Sequence, residues 1–204
     1  MTNFKGTREA FAAAMMDMAE ERKDIVVISP DSLKAMRAVP FGEKYPDRYL
    51  ECGIAEQGAV DAAAGLASAG LTPFIGTYCG FLTMRACEQM RTFVGYTNLN
   101  AGLLGGEREG VTHQFYEDLG IVSSMPNYTI FTPADPAQCY HAVRLAAETD
   151  GPVYIRGGSG RELDVYDKNA PFAKSGITVW KDYGTDAVLF SNGYVLDRVL
   201  TAAD

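Results

Sequence analysis

Short, continuously apolar, β-branched runs alternate with longer stretches of helical period along most of the chain. In Thr7 to Glu21 the residues Phe11, Met15 and Met18 recur at helical spacing, and a polar ERKD run then leads into DIVVISP, a strand closed by a turn. The alternation predicts LECG as a strand, Glu56 to Ala69 as an Ala-rich helix, TPFIGTY as a strand and Phe81 to Phe93 as a helix. NYTIFTP follows as a strand, Pro136 to Thr149 as a helix and PVYIRG as a strand. Strands this short and apolar, separated by helices, are buried on both faces, which predicts an α/β fold with a parallel sheet flanked by helices. Ligands of such sheets lie at the carboxyl ends of the strands.

The pattern stops after Arg156. GGSGRELDVYDKNAPFAKSG is polar and rich in Gly and Asp, so residues 161–185 are expected to form a linker behind a first domain of residues 1–160. Beyond it, ITVWKDYGTDAVLFSNG and YVLDRVLTAAD predict one or two strands and a helix, too little to bury a core. Residues 186–204 therefore read as the opening of a second domain.

Composition narrows the function classes. The 204 residues are 47% hydrophobic and 22% charged, an ordinary globular balance, and 18 Lys and Arg stand against 26 Asp and Glu. A formal net charge of -8 repels polyphosphates and anionic membrane surfaces, so neither a nucleic-acid nor a membrane partner is expected. The N-terminus has no apolar signal core and no apolar run approaches a membrane span, so a cytoplasmic location is expected. Cys52, Cys79, Cys87 and Cys139 form no CxxC pair and sit in apolar segments, as reduced thiols do. With His113 and His141 the only histidines, no metal site is expected.

Three segments can carry chemistry. Glu56 opens a helix just past a strand end in ECGIAEQGAV, where a carboxylate complements the helix dipole by roughly 0.3–1 kcal/mol whether or not it has another task. Gly105 to Gln114, GGEREGVTHQ, is a glycine-rich loop that delivers Thr112, His113 and Gln114 to the next helix start. Tyr78 and Phe81 fall at a strand end and a helix start, as core aromatics or as a stacking platform. RGGSG, Arg156 to Gly160, follows a strand but opens no helix, which fails the structural test for a nucleotide loop. GxGxxG, P-loop and Gly-x-Ser-x-Gly patterns are absent from the sequence.

GIAEQ, followed by DAAAGLASAGLTPFIGTY, GFLTMRACEQMRTF, EGVTHQFYEDLGIVSSMPNYTIFTPAD and GPVYIRGG, resembles the pyrimidine-binding domain of transketolase-like thiamine diphosphate enzymes. The likeness runs in order from about Arg8 to Gly158. It implies that Glu56 hydrogen-bonds the ring nitrogen of the cofactor's aminopyrimidine, favouring the tautomer whose neighbouring nitrogen takes the proton from the thiazolium carbon. Tyr78 and Phe81 would wall the aminopyrimidine, with Phe81 the stacking partner. His113 would reach the substrate oxygen, and Arg8 and Arg156 would contact the substrate's phosphate.

The family's Gly-Asp-Gly segment, which with a later Asn holds Mg²⁺ and the diphosphate, does not occur in this sequence. The resemblance therefore implies the smaller half of a split enzyme. Its large partner subunit would supply the Mg²⁺ site for thiamine diphosphate, in a heterotetramer acting on a small-molecule substrate. A two-carbon ketol or acyl transfer is the activity implied. A deoxyxylulose phosphate synthase-like subunit, a two-oxoacid dehydrogenase beta-like subunit and a non-catalytic scaffold subunit are the alternatives. Two departures bear on the substrate: the serine expected four residues after Asp31 is Ala35, and no histidine precedes His113. The family's loop Asp is matched by Glu109. Fewer neutral donors predict a substrate with a smaller or less charged terminus, or one gripped through Lys34, and so a donor or acceptor other than xylulose and ribose phosphates.

Overall fold

The computed structural model describes residues 4–106, 115–160, 162–167, 169–170, 172 and 179–204. Six strands, β1 (Ile25–Ser29), β2 (Tyr49–Glu51), β3 (Thr72–Tyr78), β4 (Gly102–Gly106), β5 (Thr129–Phe131) and β6 (Val153–Gly157), form one parallel sheet in the order β2-β1-β3-β4-β6-β5. This is the α/β architecture expected from the alternating pattern. Strands β1 and β4 are buried along their whole length, as sheets covered on both faces require, while the short edge strand β2 is half open to solvent.

Helix α1 (Thr7–Glu21) buries Phe11, Met15 and Met18, three residues that share one face at helical spacing. With α6 (Pro136–Ala147) and Phe41 of α2 (Val39–Lys44) it covers one side of the sheet against Val27, Phe74, Leu104 and Ile155. The other side packs Val60 and Ala63 of α3 (Glu56–Ser68) against Ile28, Ile75, Leu103 and Tyr154. Leu82, Met90 and Val94 join that second core from a helical run in three pieces. Its ends, Phe81–Arg85 and Met90–Gly95, are π-helical, and the α-helical turn α4 (Cys87–Gln89) lies between them. The expected single helix is thus interrupted, and π-helical insertions of this kind gather at functional sites.

Strand β4 is not evident from its sequence, GLLGG, because its glycines are chosen by its neighbours. A Cβ on Gly102 would stand 2.2 Å from the Phe74 ring, and one on Gly105 would stand 2.3 Å from the Tyr154 hydroxyl. Helices α2 and α5 (Asp118–Ser123) are also additional to the expected elements. Of the tail, the helix appears as α7 (Leu196–Ala203), whereas residues 179–192 carry no strand. Among the described residues no helix is long and apolar enough to cross a membrane.

Asp135 caps α6. One carboxylate oxygen accepts the Gln138 N–H at 2.8 Å, the Gln138 side chain returns to the Ala134 N–H at 2.9 Å, and Pro136 starts the helix. The other oxygen accepts the N–H groups of Val165 and Tyr166, which draws the chain beyond β6 back onto the domain. Asp135→Ala is expected to destabilise the chain by roughly 2–3 kcal/mol, a lost cap plus two stranded donors, measured as the shift in a urea unfolding curve.

Candidate functional site

The carboxyl edge of the sheet gathers Arg8, Tyr78, Phe81 and Glu56 from three directions. Helix α1 runs back along β1, so its first turn brings Arg8 to that edge. Tyr78 ends β3, and Phe81 begins the helical run after a tight passage through Cys79 and Gly80. Gly80 has no room for a side chain, since a Cβ there would lie 2.0 Å from the Phe115 ring. Glu56 starts α3 a few residues beyond β2.

Glu56 is only 4% exposed, an unusual place for a carboxylate unless it is paired. Its partner is Arg85, whose Nη1 donates to Oε1 at 2.8 Å. The same guanidinium lies over the Phe81 ring, 3.9 Å from the centroid. Tyr78 meets Phe81 edge-on at 5.5 Å, Phe115 does so at 6.5 Å, and the Arg8 guanidinium stands 5.4 Å from the Tyr78 centroid. Glu56, Phe81, Tyr78 and Arg8 thus form one continuous constellation. The sequence assigns Arg85 no role, although it lies in GFLTMRACEQMRTF, four residues after Phe81, where such a partner falls on a helical face.

Arg156 lies on β6, opposite Gly105 in the register, with its side chain on the Tyr154 side of the sheet. Its Nε donates to both oxygens of Asp118, at 3.2 and 3.0 Å, and the Tyr154 hydroxyl donates to the same carboxylate at 2.8 Å. Asp118 and Tyr154 are fully buried. Burial and the adjacent Asp118 carboxylate hold the Tyr154 phenol well above its usual pKa, so it remains a donor. Gly105 makes this arrangement possible, because any side chain there would displace the hydroxyl. No local sequence pattern marks Asp118.

The first turn of α1 is anchored from the far end of the domain. Glu162 accepts the N–H groups of Thr7 and Gly160, each at 2.8 Å. Burial alone would raise its pKa, but these hydrogen bonds outweigh it and hold the carboxyl below the ordinary value. Beside this anchor a cavity of about 240 Å³ is lined by Lys5, Arg8, Glu9, Arg37, Ser159 and Gly160. His113 and Glu109 lie outside the described residues.

A planar cation with N–H donors, held between a buried carboxylate and an aromatic face, marks a place suited to an aminopyrimidine ring. Such a ring would meet the same two surfaces, an acceptor at its edge and a π-face beneath it. Arg85 has to leave Phe81 for a ring to stack there.

Comparison with known proteins points in the same direction. Residues 5–159 match the family described as transketolase, pyrimidine binding domain. A 6-deoxy-6-sulfo-D-fructose transketolase subunit of Clostridium sp. is 29% identical over 97% of this chain and 63% of its own length. An apulose-4-phosphate transketolase subunit of Phocaeicola vulgatus is 31% identical over 82% of this chain and 55% of its own. A solved split-gene transketolase, an inactive β4 tetramer, superposes with a TM-score of 0.90 at 36% identity, over 97% of this chain and 66% of that one. The chain thus spans between 55% and 66% of the length of these relatives.

Proposed function

The chain belongs to the transketolase pyrimidine-binding domain family, and on that premise we propose that it is the small subunit of a thiamine diphosphate-dependent, transketolase-like enzyme. It transfers a two-carbon ketol or acyl unit, and it works only with a large subunit that holds the diphosphate and Mg²⁺. The observation that carries this reading is the buried Glu56 carboxylate beside the Phe81 face, both engaged by one planar cation. The assembly is a heterotetramer of two such pairs in the cytoplasm.

Bound thiamine diphosphate supplies the acidic thiazolium carbon on which the transfer depends. Glu56 would hold a proton at the aminopyrimidine ring nitrogen, and its burial would limit competition from water for that hydrogen bond. Phe81 supplies the stacking face, and Tyr78 fixes its tilt. Arg85 pairs the Glu56 carboxylate, and its half-exposed side chain would turn toward solvent to free the Phe81 face for stacking. Arg8 and Arg156 grip the substrate's anionic end, and His113 serves the substrate oxygen.

A partner chain is supported by the rim of this site. Ile54, Met84 and Tyr116, neighbours in sequence of Glu56, Arg85 and Phe115, are large apolar side chains left exposed. The split-gene relative, inactive as a tetramer of one chain type, fits the same requirement. Two of the relatives are transketolases named for sugars other than xylulose and ribose phosphates, and this chain is proposed likewise to prefer a donor or acceptor other than those two.

The test is coexpression with a chain carrying the Gly-Asp-Gly segment, followed by copurification and titration with thiamine diphosphate and Mg²⁺. The pair is expected to bind the cofactor and turn over ketose donors, and the single chain to do neither. Tight, Mg²⁺-dependent binding by the single chain in calorimetry would refute the division of labour between subunits.

A further inference from the structure

Helix α3, which carries Glu56 in its first turn, starts without a cap of its own. The N-cap position is Ala55, which has no side-chain oxygen for the free N–H groups of that turn. Packing does not replace the cap, because Gly53, Ile54 and Ala55 are all exposed. Gly53 takes the left-handed backbone at φ 65°, and the Ala55 N–H closes back on the Gly53 carbonyl at 2.7 Å. The direction in which the chain enters α3 is therefore set by polar contacts.

Glu51, the last residue of β2, supplies them. Its Oε1 accepts the Gly53 N–H at 2.9 Å and the Asp31 N–H at 2.7 Å, while Oε2 accepts the Tyr49 hydroxyl. One carboxylate thus ties the loop before α3 to the turn after β1. The ladder between β1 and β2 runs up to this point, with the Cys52 N–H on the Ser29 carbonyl at 2.9 Å, so the clamp begins where the sheet ends. Burial alone would raise the Glu51 pKa, but the hydrogen bonds from Tyr49, Asp31 and Gly53 outweigh it and hold the carboxyl below the ordinary value. The Tyr49 phenol is pushed up to about 12, first by burial and then by this carboxylate, so it remains a donor. At neutral pH Glu51 is a charged acceptor with its donors already arranged around it.

We propose that Glu51 is a positioning residue for Glu56: its clamp fixes the path of residues 52–55, and so the place of the Glu56 carboxylate against the ring nitrogen of the bound cofactor. This rests on the enzyme reading above. Arg85, the other contact of Glu56, is half exposed and reaches it from a different element, so it pairs the carboxylate without fixing where α3 begins. Hydrogen bonds at an exposed loop add little to stability, because water replaces them when they are cut. Catalysis is less forgiving, since a displacement of about 1 Å takes a group out of its productive geometry. Stability and turnover are therefore expected to respond differently when the clamp is cut.

Glu51→Ala cuts the clamp, and Glu51→Gln keeps it, because the amide carbonyl still accepts both N–H groups. In the pair formed with the large subunit, Glu51→Ala is expected to lower kcat roughly tenfold or more with the KM of the ketose donor nearly unchanged, and Glu51→Gln to recover most of the loss. In a Glu56→Gln background, Glu51→Ala is expected to lower kcat no further, since it acts only through the carboxylate already removed. In the full single chain, carbon-13 NMR is expected to show the Glu56 carboxyl resonance shifted in Glu51→Ala and close to its wild-type position in Glu51→Gln, which separates geometry from the loss of a charge. Wild-type-like kcat in Glu51→Ala, a further loss of similar size in the Glu56→Gln background, or a Glu56 resonance that is unmoved or shifts equally in both variants overturns the proposal. The resonance needs no turnover, so a wild-type pair without activity refutes the enzyme reading, and the NMR result alone then decides whether Glu51 positions Glu56.

Discussion

Glu56→Gln is expected to lower turnover of the reconstituted pair by roughly 10²–10⁴-fold, the usual contribution of one positioned proton carrier. Glutamine has nearly the volume of glutamate, and its carbonyl oxygen still accepts from Arg85, so packing around the first turn of α3 is preserved. What it loses is the ability to hold and release a proton. The stability change is expected to be small, about 1 kcal/mol or less, because Arg85 is half exposed and water takes over its solvation when the carboxylate is gone. The simpler role, complementing the helix dipole, predicts a similar stability loss of roughly 0.3–1 kcal/mol but no loss of rate, so the rate decides between them. Steady-state kinetics together with size-exclusion chromatography separate the two. Near-wild-type turnover by an assembled variant returns Glu56 to the dipole role.

Much of this arrangement is legible in the sequence because burial writes a period into it. The faces of α1 and α6 and the continuous runs of β1, β3 and β6 are fixed by which residues leave water, and their spacing declares the element. Strand β4 carries no such signal, because Gly102 and Gly105 are there to make room for Phe74 and for the Tyr154 hydroxyl, residues distant in sequence. The π-helical stretches around α4 are hidden for a related reason, since an extra residue per turn leaves the apolar count nearly unchanged. The expected tail strands are missing from residues 179–192, where Val188, Leu189 and Phe190 stand exposed; a strand needs a neighbour to pair with, and sequence alone cannot supply one.

At the site, motif residues are visible in the sequence and their supports are not. Glu56, Tyr78, Phe81 and Arg8 sit in recognisable segments, and the fold brings them to one edge of the sheet. Asp118 meets Tyr154 and Arg156 by reaching from α5 to β6, a contact that no short stretch of chain declares, and Arg85 meets Glu56 across two helical segments distant in sequence.

The buried carboxylate behind Arg156 is where such a support has its largest expected effect. Asp118 is wholly enclosed and accepts from both Arg156 and Tyr154, so removing it takes the shared acceptor from a cation and a phenol that are themselves shielded from water. Breaking a buried pair from one side costs roughly 3–5 kcal/mol, and Asp118→Ala is expected to fall in that range in chemical denaturation. Asp118→Asn keeps the shape and one acceptor oxygen, and is expected to lose about half as much. Tyr154→Phe is expected to cost about 1 kcal/mol, and a double-mutant cycle with Asp118→Ala should show coupling, because both changes remove the Tyr154–Asp118 hydrogen bond. The functional consequence separates support from mere packing. If Asp118 holds the Arg156 guanidinium toward the substrate's anionic end, Asp118→Asn raises KM for an oxyanion-terminated donor by about tenfold while kcat changes little, since the cofactor constellation lies on other elements. An Asp118→Asn pair that loses stability but keeps its KM would make the network a structural clamp and take Arg156 out of substrate binding.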